Sequence, residues 1–168
     1  MDRRTTIAEG VLSTKALLTR YLKGFSDANH TVQAAGLPNH VAWTLGHLAL
    51  TMHRIAEHFD GRGLPEGDFG AENDARRFGT ERVCFGSSVG DGAWPGLARC
   101  VEVYEAAADR LAAGVRACED AKLDTMIKWG PGEIPLYQAG MRMIFHNGMH
   151  TGQIADLRRA LGMGSIFV

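Results

Sequence analysis

Apolar side chains recur at steps of three and four in four separate stretches of the chain, the spacing that places them on one face of a helix. In the first stretch Ile7, Val11, Leu18, Leu22 and Phe25 keep that rhythm, and the run closes between Gly24 and Asn29. The second follows Pro38, a residue that a first helical turn accommodates. It carries Val41, Leu45, Leu48, Met52, Ile55 and Phe59 to a stop at Asp60-Gly61. The third is the most regular, with Leu97, Val101, Tyr104, Ala108, Leu111, Val115 and Cys118 alternating steps of four and three, the seam of a bundle helix. The fourth starts near Pro135 and passes through Ile144, Ile154, Leu157 and Leu161 to Gly162.

Between the second and third helices, residues 60–93 hold eight glycines and no sustained period, which predicts one long crossover. Glu119 to Ile134 form a second connection with room for a short hairpin around Gly130-Pro131-Gly132. The expected fold is all-α, a four-helix bundle with a long crossover between helices 2 and 3, in a single domain over residues 1–168. No internal repeat or linker divides the chain.

Composition narrows the function. Of 168 residues, 45% are apolar and 22% charged, enough buried surface to offset conformational entropy and too little charge for a disordered chain. Eighteen basic against nineteen acidic side chains argue against a nucleic-acid binder, which gathers several phosphate-neutralising cations on one face. The N-terminal segment lacks the apolar run of a signal peptide, because Glu9, Lys15 and Arg20 interrupt it. No window approaches the ~18 apolar residues of a membrane span. Cys84, Cys100 and Cys118 are odd in number and without a C-x-x-C pair, which fits a reducing compartment. The expected location is the cytoplasm.

The candidate chemistry lies in the seven histidines. His146 and His150 are one turn apart on the fourth helix, so their Cβ atoms are roughly 6 Å from each other. They share a row with Met143, Gln153 and Leu157, so three polar positions interrupt a seam that is apolar at both ends. Buried polar atoms left unpaired there cost about 1 to 3 kcal/mol each, and one metal ion would satisfy both imidazoles. On the second helix His40, His47 and His58 share a face but spread over roughly 27 Å, so one of them can complete the set. His47 is the choice, mid-helix beside Leu45, Leu48 and Leu50. His53 points away from that face and, with His30, is expected to be solvated. His146-Asn147-Gly148-Met149-His150 is not a protease H-E-x-x-H, because an amide at Asn147 cannot act as general base.

Asn39-His40-Val41-Ala42-Trp43-Thr44-Leu45-Gly46-His47-Leu48, followed by His146-Asn147-Gly148-Met149-His150-Thr151-Gly152-Gln153-Ile154 and Leu157-Arg158-Arg159-Ala160-Leu161-Gly162, resembles the DinB/YfiT-like superfamily of metalloproteins over essentially the whole chain. The resemblance implies an up-down-down-up four-helix bundle. It implies a divalent metal, nickel or zinc, on three histidines that match His47, His146 and His150, and no contact with DNA. It also implies a homodimer and a small-molecule substrate, with chemistry like that of thiol-dependent transferases and isomerases, in which the metal activates a low-molecular-weight thiol such as bacillithiol or mycothiol. Two rivals stand beside the transferase: a hydrolase using metal-bound hydroxide, and a non-catalytic metal or ligand-binding module. Trp43, Gln153 and Met143 are the candidates for pocket or supporting positions. Asp156 lies off the seam, and Glu133 lies in a connection.

Other signals carry less. Gly86-Ser87-Ser88-Val89-Gly90 has the G-x-S-x-G spacing, but Asp91-Gly92-Ala93-Trp94-Pro95 breaks the helix that a nucleophile elbow requires. Cys84, with no base placed to activate it, reads as inert. Met52, Met141, Met143 and Met149 read as core packing, and Arg158 and Arg159 as partners of a helix C-terminus. Of the 21 glycines, Gly46, Gly148 and Gly152 fall inside helices next to the proposed ligands, each costing about 1 kcal/mol relative to alanine, and are expected to make room there.

Overall fold

The computed structural model describes residues 2–37, 39–69 and 94–167. Pro38, Cys84, the Gly86 to Gly90 pattern and most of the 60–93 crossover lie outside them.

Each long helix begins and ends on a recognisable chemical device. Helix α1, Arg3–Tyr21, is capped by Asp2, whose carboxylate accepts from Thr5 N–H at 2.8 Å. It stops before Gly24, where φ is +91°. Leu22 and Phe25 stay buried beyond its end. Helix α2, Val41–Asp60, starts later than proline placement suggests, because the His40 imidazole serves as its cap and accepts from Trp43 N–H at 3.1 Å. Gly61 closes it in the left-handed conformation, with its N–H on Glu57 O. Helix α4, Leu97–Ala117, has glycine at its N-cap and borrows its cap from elsewhere: the Asp27 carboxylate accepts from Leu97 N–H at 2.6 Å. Helix α5, Leu136–Ala160, follows Pro135. Arg158 near its end is buried and donates to the carbonyls of Tyr21, Lys23 and Gly164, which joins the ends of α1 and α5.

Two shorter features lie between the long helices. A four-residue helix, α3, Glu66–Phe69, lies in the stretch read as aperiodic. Strands β1, Met126–Trp129, and β2, Gly132–Pro135, pair antiparallel with Ile127 opposite Ile134, turning at Gly130 where φ is +58°. The protein is thus mostly helical, and its small antiparallel sheet is the hairpin expected around Gly130-Pro131-Gly132. A 3-10 turn over Asp120–Asp124 precedes β1, and its two aspartates take the Arg3 guanidinium at 2.8 and 2.7 Å.

Helix α2 packs against α4 and α5, and α1 packs against α5 and α4. All ten residues from Val41 to Leu50 are buried, as befits a helix covered on every side. Trp43 and Leu50 form a separate cluster under Leu64, Phe69 and Trp94. Close approach of α1 and α5 depends on two glycines: Ile144 lies where a Cβ on Gly10 would be, and a Cβ on Gly140 would meet Ile7 Cγ2 at 2.8 Å. Among the described residues no helix is long and apolar enough to cross a membrane.

Candidate metal centre

His146 and His150 share a face of α5 by local geometry alone, and the packing of α5 on α2 brings His47 to them. His146 Nε2 lies 3.1 Å from His47 Nε2 and 3.1 Å from His150 Nε2. The three rings pack edge to face, with centroids 4.7 to 5.1 Å apart. Among the described residues these three form the one His/Cys/Asp/Glu group arranged to hold a metal ion. Their donor atoms are spaced as ligands of a single ion with bonds of about 2.0–2.1 Å would be.

The surroundings decide which nitrogen carries the proton. His150 Nδ1–H donates to Gln153 Oε1 at 2.8 Å, which leaves the Nε2 lone pair directed at the centre. His146 Nδ1 faces Thr51 Oγ1 at 3.5 Å, while the Thr51 hydroxyl donates to the carbonyls of His47 and Leu48. His146 Nε2 is then also a lone pair, and two lone pairs 3.1 Å apart repel unless a cation lies between them. Burial, reinforced by the neighbouring imidazoles, lowers His146 to about 4 and His150 to about 3, so both are neutral at pH 7, as metal ligands must be. Trp43, fully buried, stacks on His47 with ring centroids 4.5 Å apart and planes within 11°.

Other sequence candidates fall elsewhere. Met143 is buried in the main core one turn from His146, as is Met52, whereas Met141 and Met149 are exposed, so the core reading fails for the latter pair. Asn147 is fully buried and donates to Thr14 Oγ1 at 3.3 Å, which directs its amide into the core and away from the imidazoles. His40 caps α2, and His58 is exposed. Asp156 is exposed and paired with Arg159, and Glu133 is exposed on β2. A Cβ added at Gly148 or Gly152 meets nothing within 4 Å, so neither glycine permits a close approach.

The expectation that His53 and His30 are solvated is overturned, since they are 2% and 5% exposed. His53 Nδ1 accepts from Arg110 at 3.1 Å, and Arg110 in turn holds the Asp60 carboxylate at 2.8 Å. His30 reaches the backbone carbonyls of Asp27 and Pro95. Both partnerships join segments far apart in sequence. Thr51 was also missed, although its place one turn after His47 is a usable signal.

Residues 12–154 match the family model described as the DinB superfamily. Two solved structures share the fold: the mycothiol-dependent maleylpyruvate isomerase, at 14% identity and a TM-score of 0.60, and a histidine-to-alanine mutant of that enzyme, at 13% and 0.61. In each case 92% of the chain is covered but 61% of the solved one, so the chain spans about three fifths of their length. No curated protein sequence gives a significant match.

Proposed function

The chain belongs to the DinB superfamily, and from that premise we propose that it is a metal-dependent transferase in which His47, His146 and His150 hold a divalent cation, zinc or nickel. The observation that carries this reading is the convergence of three imidazole nitrogens, two of them turned inward by Gln153 and Thr51. When bound, the metal supplies a Lewis acid that lowers the pKa of a coordinated low-molecular-weight thiol, providing a nucleophile at neutral pH for attack on a small electrophile. The protein's part is positional. Gln153 holds the His150 tautomer, the Thr51 hydroxyl faces His146, and Trp43 supports the His47 ring and keeps water from its far side. The mycothiol dependence of the two structural neighbours supports a thiol cosubstrate.

In the same reading, the four long helices form the family's bundle, with residues 60–93 as the crossover, in one domain over residues 1–168. The protein works as a cytoplasmic homodimer on a small molecule, without nucleic acid or membrane. One observation favours a second reading. Among the described residues no carboxylate is bonded to His146 or His150 as a general base would be, which suits a non-catalytic metal-binding module. A hydrolase with metal-bound hydroxide is the third possibility, distinguished by ester turnover without thiol.

Elemental analysis of protein purified without a polyhistidine tag tests the site. One divalent ion per chain is expected in the wild type and none in His47→Ala or His150→Ala; unchanged metal content in both variants overturns the assignment. Assays of the metal-loaded protein with several thiols and an electrophile then separate transferase from binding module. Conjugation at the uncatalysed rate throughout rejects the transferase.

A further inference from the structure

The seam that carries the imidazoles continues past them. Along it α2 and α5 run antiparallel. Trp43 and His150 have ring centroids 6.2 Å apart, His47 meets His146 at 3.1 Å, and Thr51 meets His146 at 3.5 Å. Moving up α2 is therefore moving down α5. The next positions in these two rows are Arg54, three residues beyond Thr51, and Arg142, four residues before His146. Arg142 is one helical turn from His146, and Arg54 is one turn beyond Thr51 and two turns from His47.

Both arginines are exposed, and among the described residues neither is paired with a carboxylate. Other arginines of the protein are engaged: Arg3 with Asp120 and Asp124, Arg110 with Asp60, Arg116 with Glu9, and Arg158 with three carbonyls. The Arg142 guanidinium lies over the Trp129 ring of β1, 5.3 Å from its centroid, which restrains a long side chain before any ligand arrives. Two guanidiniums on facing rows, neither paired with a carboxylate among the described residues, add positive charge at this end of the seam. Their planar forks match a carboxylate bidentately.

We propose that Arg54 and Arg142 form a carboxylate anchor at the end of the seam that continues past Thr51 and His146, so that the site takes a small molecule bearing a carboxylate within reach of the triad. This rests on the reading above in placing the reaction at the triad. The carboxylate belongs to the electrophile or to the thiol, and the guanidiniums recognise it in the same way.

Calorimetric titrations of the full chain distinguish the two sources. The probes are maleate, a dicarboxylate without a thiol; glutathione, a thiol bearing carboxylates; and cysteamine, a thiol lacking them. Arg54→Gln and Arg142→Gln are each expected to weaken maleate or glutathione by about tenfold or more while leaving cysteamine unchanged. Arg116→Gln, on α4 opposite Glu9, serves as a charge control and is expected to alter none of the three. Weakening of maleate alone assigns the anchor to the electrophile, weakening of glutathione alone assigns it to the thiol, and weakening of both assigns it to either carboxylate. Maleate and glutathione that bind equally in all variants, or do not bind the wild type, overturn the anchor. Metal content measured on the same samples keeps the two readings apart: arginine-dependent carboxylate binding by a protein that takes up no metal sinks the metal centre and leaves the anchor standing.

Discussion

His47 and His53 lie less than two turns apart on α2, each 2% exposed, and the polar clusters around them are completed in opposite ways. Around His53 the charges close on themselves. Arg110 donates twice to Asp60 at 2.8 Å, and once each to His53 Nδ1 and Gly63 O. The Arg110 guanidinium also holds the Asp60 carboxyl well below the usual carboxylate range. Around His47 three imidazoles converge, and two of them spend their N–H groups outward, on Gln153 and toward Thr51. The first cluster fastens the start of the 60–93 connection to α4. The second directs its ring nitrogens at one another, an arrangement that could hold a metal ion. Burial of a histidine is therefore no guide to its role; the direction of its neighbours' donors is.

The largest effect that tests this contrast comes from the closed cluster. Arg110→Met leaves the half-buried Asp60 carboxylate with Arg62 alone and removes the donor to His53, and is expected to cost about 2 kcal/mol in urea denaturation, with metal affinity unchanged. A loss below about 1 kcal/mol would mean that solvent screens the pair and that the cluster is no fastening. In the open cluster, Gln153→Ala frees the His150 tautomer and should weaken zinc binding by about 10- to 100-fold in competition with a chelator, with little change in unfolding free energy. Equal zinc affinity in that variant would remove Gln153 from the site.

Acid probes the closed cluster again. Burial first, then the Arg110 charge, lowers His53 from 6.5 to about 4. The unfolded chain therefore takes up this proton before the folded one, and stability falls as pH drops from about 6.5 toward 4. His53→Gln should flatten that part of the stability profile, and a profile identical to wild type would show that the imidazole titrates freely. The smallest effect is expected at Gly148, whose added Cβ meets nothing. Gly148→Ala should stabilise the protein by up to about 1 kcal/mol and leave metal affinity unchanged. A large loss of affinity would restore the role that the sequence suggested for this glycine.

Much of the architecture was legible because it is local. A 3.6-residue period and capping residues are written within one or two turns of chain, so all four long helices fall where the apolar rhythm puts them, within a few residues at their ends. The facing of His146 and His150 follows from their spacing alone. His47 was accessible because it is the polar interruption of the most apolar helix. The errors share one cause. The burial of His53 and His30, the contact of Thr51 with His146, the cap that Asp27 lends to α4 and the fit of Ile144 against Gly10 all join residues distant in sequence. Periodicity tells which face of a helix is apolar, but not which residue of another helix will stand opposite it. That register is set only when side chains interlock, and it alone decides whether a buried imidazole meets a guanidinium or two more imidazoles.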